Sequence, residues 1–285
     1  MADLPVAAIQ MRSGIDPEAN IRAMSDLVRE AAGRGARYIQ TPEMTGAVQK
    51  NRDALQKILR PEPEDPVLTA ASSLAQELGI HLHIGSTAVQ ADNGMAANRA
   101  VLFGPDGSAL AHYDKIHMFD VDLDSGESWR ESAVYQPGEV ARTVDIGGAR
   151  VGLAICYDIR FPHLFRDLAL MGADIVTAPA AFTRQTGEAH WHVLQRARAI
   201  ENGAFVISAA QGGTHEDGRE TYGHSIIVDP WGRIVAEADG IEPCVVFANI
   251  NIDEVTAARG KIPNLKNARS YRLNDGSKEE AERTG

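Results

Sequence analysis

Val151-Gly152-Leu153-Ala154-Ile155-Cys156-Tyr157-Asp158-Ile159-Arg160-Phe161-Pro162 is the stretch on which the fold turns. Its first half is a short, continuous apolar run, the mark of a buried strand. Phe161-Pro162 then opens a helix, because proline is tolerated in a helix's first turn. A cysteine between the two stands at the carboxyl end of a strand, where open α/β sheets bind ligands. The amide of Tyr157 is then placed to point into the same site.

The pattern continues on both sides. Just upstream, 142–146 and 150–156 flank Gly147-Gly148, a hairpin signal. Downstream come a helix at 161–171, a strand at 174–179, a helix at 190–202 and a strand at 204–210. A second hairpin, 226–228 with 234–237, turns at Asp229-Pro230-Trp231-Gly232. Toward the amino terminus, 4–11 reads as a buried strand. Asp16-Pro17 caps a helix whose apolar stripe is Ile21, Met24, Leu27, Val28 and Ala31. A strand at 38–43 runs into Thr41-Pro42-Glu43. A helix from Asp65-Pro66 through 77 closes at Gly79, and a strand follows at 81–89. The run 98–103 and 109–113 flanks Pro105-Asp106-Gly107, a further hairpin. Such βαβ units interleaved with hairpins predict an α/β protein with a mixed sheet or two packed sheets, helices outside. No Ser/Pro/Gly-rich linker divides the chain, so 1–272 reads as one domain and the polar 273–285 as a mobile tail.

Composition bounds the function. The 285 residues carry 28 Lys+Arg and 39 Asp+Glu, a net charge of −11, with 44% hydrophobic and 24% charged residues. That is a globular composition, not a disordered one. The acidic balance and the lack of a basic stripe argue against nucleic acid and anionic membranes. No run approaches the roughly 18 apolar residues of a membrane span. Two cysteines make no disulfide framework, and the start shows no signal peptide, so a reducing, cytoplasmic setting is expected.

Alone, Cys156 is either a reactive thiol or a buried structural one. A nucleophile needs a base. Nine histidines offer one, as does Glu43, which also ends a strand but alone reads as a solvated loop acid. Lys115, in Tyr113-Asp114-Lys115-Ile116-His117, alone reads as a surface charge. A lysine can, however, hold negative charge developing on oxygen.

Together, Thr-Pro-Glu43, Asp-Lys115-Ile-His and Gly-Leu-Ala-Ile-Cys156-Tyr-Asp-Ile-Arg-Phe-Pro resemble the nitrilase, or carbon–nitrogen hydrolase, superfamily in order and spacing. The likeness runs from residue 4 to about 272. The stretches 189–201 and 222–225 and Asp229-Pro230-Trp231-Gly232 resemble its amidase branch, which contains omega-amidases and deaminated-glutathione amidases. The segment 210–215 leans toward the latter.

The resemblance implies an αββα sandwich of two mixed sheets and a Glu43–Lys115–Cys156 triad. In it Glu43 is base and acid, Cys156 forms a thioester, and Lys115 with the Tyr157 amide holds the oxyanion. Serving both roles calls for a Glu43 pKa moved toward neutrality by burial. Glu131 matches a second glutamate that positions Lys115. Arg160 pairs with a substrate carboxylate or, structurally, with Asp158 or Glu201; Phe182 and Thr186 line the pocket. His190 and Trp191 would line the same wall or, for Trp191, anchor the core. The implied reaction is hydrolysis of a small carboxylate-bearing amide with release of ammonia. No cofactor or metal is called for, and the expected assembly is a homodimer with 252–272 crossing over. The main rival, an N-carbamoyl-amino-acid hydrolase, often carries two adjacent arginines after the cysteine segment, where this chain has Ile159-Arg160. A non-catalytic binding member of the fold is the other alternative.

Three weaker motifs fall away. Asp120, Asp122, Asp124 and Glu131 approach a calcium loop, but Ser125 fills its glycine slot. His81-x-His83 and His190-x-His192 lack further metal ligands. Gly223-His224-Ser225 lacks the second glycine of a serine elbow.

Overall fold

The computed structural model describes residues 3–122, 126, 128–274 and the backbone of 281–283. Its main strands are β1 (Leu4–Gln10), β2 (Tyr38–Gln40), β3 (His81–Gln90), β4 (Ala96–Phe103), β5 (Ala109–Asp114), β6 (Arg142–Asp145), β7 (Arg150–Leu153), β8 (Ile175–Thr177), β9 (Phe205–Ser208), β10 (Ile226–Val228), β11 (Ile234–Glu237) and β12 (Cys244–Ile250). The helices are α1 (Pro17–Gly33), α2 (Arg52–Ile58), α3 (Pro66–Leu78), α4 (Pro162–Leu170), α5 (Arg184–Asn202) and α6 (Asp253–Lys261).

The strands form two six-stranded sheets, ordered β12-β1-β2-β3-β4-β5 and β11-β10-β9-β8-β7-β6. In the first, β1, β2 and β3 are parallel, and β4, β5 and β12 add antiparallel. In the second, β7, β8 and β9 are parallel, and β6, β10 and β11 add antiparallel. Each half therefore builds the same scheme once: three parallel strands with antiparallel flanks.

Period-two alternation explains the layers. On β1, Val6 and Ala8 join the core shared with the second sheet, through Val151, Leu153 and Val176. Their neighbours Ala7 and Ile9 pack with Met24 and Val28 of α1 and Leu74 of α3. Helices α4 and α5 cover the second sheet with Leu164, Phe165, Leu168 and Trp191. The result is the αββα sandwich that the sequence implied. Helix caps follow the sequence signals. Asp16 accepts from Glu18 N at 3.1 Å, Asp65 accepts from Leu68 N at 2.9 Å, and Gly79 ends α3 at φ 63°.

Polar bonds join the carboxyl ends of the two parallel sets. Gln40, ending β2, accepts from Ala209 N at 2.8 Å, just past β9. Met11 N donates to Ala210 O at 3.3 Å and Met11 O accepts from Gly212 N at 2.8 Å. Packing here leaves no room for a side chain on Gly85, where a Cβ would lie 2.0 Å from Thr41 O. The 41–43 turn thus folds directly over β3.

The structure departs from the sequence reading in several places. β2 and β7 stop at Gln40 and Leu153, short of the expected 43 and 156, because the turns that carry Glu43 and Cys156 begin there. α5 starts at Arg184, six residues before the apolar pattern, on a Thr183 N-cap. Helices α2 and α6 were not anticipated. Much of the expected tail, 275–280 and 284–285, lies outside the described residues. Within the tail, the backbone of Ala281–Arg283 pairs antiparallel with Tyr271–Leu273.

Candidate active site

Three arms meet where the sheets' carboxyl ends converge. The turn after β2 carries Glu43, the segment after β5 carries Lys115, and the turn after β7 carries Cys156. Lys115 Nζ lies 2.9 Å from Glu43 Oε1 and 3.0 and 2.9 Å from the two oxygens of Glu131. Glu43 Oε1 also accepts from Asn98 Nδ2 at 2.9 Å, and Oε2 from Ala181 N at 2.9 Å. Glu131 is held by Phe119 N at 2.7 Å and Asn98 Nδ2 at 3.2 Å. Lys115 is 2% exposed and Glu43 4%, so Glu43 is not the solvated loop acid it resembles in isolation.

Cys156 opens a 3-10 turn, Cys156–Arg160, with φ at +48°. Its N–H is tied to Pro179 O at 2.9 Å. A left-handed cysteine stores about 1–3 kcal/mol of strain, which the surrounding bonds must offset. Met44, next to Glu43, is also left-handed, at φ 58°. Among described residues only Met44, Cys156 and His224 are non-glycine positions with positive φ, so two of the three stand at this site. The first bond of the turn runs from Asp158 N to Ile155 O, and the Tyr157 amide has no acceptor among the described residues.

Burial raises the Glu43 pKa, but the Lys115 ammonium and hydrogen bonds from Cys156, Lys115 and Asn98 outweigh it, and the net shift is downward. This corrects the expectation that burial would move Glu43 toward neutrality: a cation at 2.9 Å overrides desolvation. Burial tends to lower Lys115, but Glu131 and Glu43 hold it well above its usual value. Burial and the adjacent Glu43 carboxylate push the Cys156 thiol well up. The three groups therefore rest as carboxylate, ammonium and protonated thiol, with the thiol hydrogen bonded to Glu43.

A cavity of about 480 Å³ opens onto these groups. Glu43, Lys115, Glu131, Cys156, Tyr157, Arg160, Phe182 and Thr186 all line it, whereas His190 and Trp191, expected on the same wall, do not. Arg160 pairs with neither Asp158 nor Glu201. Its guanidinium sits 5.9 Å from the Tyr157 ring centre and 5.5 Å from that of Phe182, with His190 Nδ1 at 3.3 Å. Glu201 bonds Arg198 at 2.5 Å. Trp191 does not line the cavity. It is buried, donates to His224 O at 2.8 Å and packs edge-on to Phe182 at 5.1 Å.

Several residues at the site carried no signal that the sequence reading used. Asp158, fully buried, accepts from Tyr113 OH at 2.8 Å, Ile155 N at 2.9 Å, His117 N at 3.0 Å and His117 Nδ1 at 2.6 Å. It clamps the lysine arm to the cysteine turn from both sides of Lys115. Asn98 bridges the two glutamates from within the apolar strand β4, and a lone amide in such a run was the available clue. Among described residues no group of three or more His, Cys, Asp or Glu is gathered around a metal position. Asp124 and Ser125 of the calcium-like segment lie outside the described residues, while Asp120 binds Ser132 and Asp122 binds Arg130.

Comparison with known proteins gives the family. A family model described as carbon-nitrogen hydrolase matches residues 5–260. The chain is 37% identical over 270 residues to a deaminated glutathione amidase of Synechocystis sp., covering 91% of this chain and 96% of that one. It is 34% identical over 273 residues to omega-amidase NIT2 of Homo sapiens, covering 95% and 96%. The crystal structure of Saccharomyces cerevisiae Nit3, a nitrilase-superfamily member, superposes with a TM-score of 0.82 at 28% identity, covering 92% and 95%. With the buried Glu43–Lys115–Cys156 cluster at the convergence of two such sheets, the chain belongs to the carbon–nitrogen hydrolase family and is an amide-hydrolysing enzyme.

Proposed function

We propose that this enzyme hydrolyses small carboxylate-bearing amides of the deaminated-glutathione or omega-amidase kind through a thioester on Cys156. The observation that carries the reading is the buried Glu43–Lys115–Glu131 ion cluster beside a strained, protonated cysteine. The named amidase relatives favour it over N-carbamoyl hydrolysis.

Each step moves one proton. Sγ of Cys156 attacks the amide carbon as its proton passes to Glu43, because the thiolate is the nucleophilic form. The new C–S bond leaves an oxyanion. Lys115 directs its three donors at Glu43 and Glu131 at rest. Once Glu43 is protonated, its hold on Lys115 weakens and one ammonium donor is released toward the oxyanion, beside the Tyr157 amide. One such preorganised donor is worth about 3–4 kcal/mol in the barrier. The C–N bond then breaks, and Glu43 returns its proton to the departing nitrogen. Water attacks the thioester as Glu43 takes its proton, the C–S bond breaks, and the thiolate is reprotonated. Arg160 receives the substrate carboxylate with its guanidinium fork, while Phe182 and Thr186 bound the acyl chain. Glu131 holds Lys115 in place.

The enzyme works in the cytoplasm, where its free thiols Cys156 and Cys244 stay reduced. It does so as a homodimer, which sedimentation tests. Among the described residues no helix is long and apolar enough to cross a membrane. A product-release assay across omega-keto-amides, deaminated glutathione and N-carbamoyl amino acids tests the reading. Turnover of the first two that vanishes in Cys156→Ala is expected. Turnover confined to N-carbamoyl substrates, or an active Cys156→Ala protein, contradicts it.

A further inference from the structure

The stretch Ala210-Gln211-Gly212-Gly213-Thr214-His215 follows β9 and contributes no residue to the cavity lining. Gln211 is nonetheless fully buried, and its amide is spent on the turn that carries Glu43. Its Nε2 donates to Ser13 Oγ at 2.9 Å, Glu43 O at 3.1 Å and Met44 O at 3.3 Å, and its Oε1 accepts from Ser13 N at 3.0 Å. An amide nitrogen carries two donors, so three oxygens share them. Ser13 Oγ donates in turn to Thr45 O at 3.1 Å. Three consecutive carbonyls, of Glu43, Met44 and Thr45, are thus held by one buried amide and the serine beside it. Ser13 itself is held by His215. A carbonyl only accepts, so His215 Nδ1 donates to Ser13 O at 2.8 Å, and Nε2 of the neutral ring accepts from the Thr221 hydroxyl at 2.7 Å.

This grip falls on the strained residue of the turn. Met44 is left-handed, a conformation that a non-glycine residue keeps only where its surroundings impose it. The carbonyls of Glu43 and Met44 belong to the two peptide planes that flank the Met44 Cα, and holding both fixes its φ and ψ. The other end of Glu43 is reached through the main chain. Gln211 N donates to Ala180 O at 2.8 Å. One residue earlier, Pro179 O accepts from Cys156 N at 2.9 Å. One residue later, Ala181 N donates to Glu43 Oε2 at 2.9 Å. Residues 179–181 therefore tie the nucleophile's amide, Gln211 and the base's carboxylate together in sequence. Gln211 holds Glu43 directly by its backbone and, through Ala181, by its carboxylate.

We propose that Gln211 is a positioning residue for the amide hydrolysis: it fixes the Glu43 carboxylate in register with the Cys156 thiol, and Ser13 braces it. The inference rests on the reading of Glu43 as the base. Gln211 touches no reacting atom, and its whole effect is carried by Glu43. Without its amide, the left-handed turn loses the donor that holds two of its carbonyls, and the carboxylate moves off the line to the thiol. Arg160, Phe182 and Thr186 stand on other segments, so substrate binding is left in place.

The test is a double-mutant cycle read by product release from deaminated glutathione and an omega-keto-amide. Gln211→Leu is expected to lower kcat about 10- to 100-fold, the scale of a base misplaced by up to about 1 Å. KM is expected to change less than about twofold, since the substrate contacts are kept. In the Glu43→Gln background the same substitution is expected to lower kcat less than about threefold, because a misplaced base costs nothing once the base is gone. Gln211→Asn, which keeps the amide on a shorter stem, is expected to recover part of the loss. Should Gln211→Leu fail to fold, Ser13→Ala carries the cycle: it keeps Gln211 and removes one hydroxyl, and about a threefold loss of kcat, absent in Glu43→Gln, is expected. Equal losses in the two backgrounds, a loss carried by KM alone, or an unchanged kcat overturn the positioning role and leave the amidase reading intact. A Glu43→Gln enzyme as active as wild type, or a wild type that turns over neither amide, overturns both.

Discussion

At the floor of the cavity every charge is answered from within the chain; at its mouth several are not. Lys115 is enclosed by two glutamates, which are themselves held by Asn98, Ala181 N and Phe119 N. Lys50, Arg52 and Arg160 line the same cavity without a carboxylate partner among the described residues. The contrast separates chemistry from recognition. A buried cluster of mutually paired charges can be preorganised for a transition state. Unpaired cations near water hold an affinity that only a ligand uses.

The strongest way to break this contrast is at the floor. Cys156→Ala is expected to lower kcat by about 10⁴-fold or more, the scale seen when a nucleophile is removed from a concerted set. Glu43→Gln keeps the shape but removes the base, and a loss of about 10²–10⁴-fold in kcat is expected. Retained activity in either would show that the floor is structural. Asp158→Asn comes next. It swaps an oxygen that accepts two bonds for an amide that donates, and should cost about 2–4 kcal/mol of stability in denaturant unfolding while lowering kcat. A variant as stable and active as wild type would remove the clamp from the account. At the rim, Arg160→Ala is expected to raise KM for carboxylate amides about 10-fold or more and for neutral ones far less. Equal losses on both would make Arg160 structural.

The pH profile sharpens the same division. Glu43 is active as the carboxylate, which persists down to a pKa below its usual 4.5. The thiol gives up its proton only during attack and is held above its usual 9.0, and Lys115 stays charged beyond 10.5. Log kcat/KM should therefore stay flat between pH 5 and 8, near-neutral ground where none of the three titrates. A limb inside that range would show that Glu43 or Cys156 changes protonation state there.

The floor was legible because its three arms are written in local sequence: an acid, a lysine and a cysteine, each just past a strand. What the sequence did not give was the sign of the Glu43 shift, since Lys115 reaches it across 72 positions and outweighs burial. Asp158 was read as a possible partner for Arg160, because sequence proximity suggested it; the fold hands it to His117 and Tyr113 instead. The rim was hardest to see. Lys50, Arg52 and Arg219 come from a loop, the first residue of α2 and a second loop, with no apolar periodicity to mark them, and the Asp217 carboxylate ties Lys50 N to Arg219 N. Helix α2 was missed for the same reason, with one buried side chain, Leu55, to mark it.

The most direct test of the central claim is mass spectrometry of wild-type enzyme acid-quenched during turnover of an amide substrate. The account predicts the acyl mass on the peptide containing Cys156, and none in Cys156→Ala. An adduct on Cys244, or turnover with no acyl-enzyme at any substrate concentration, would contradict it.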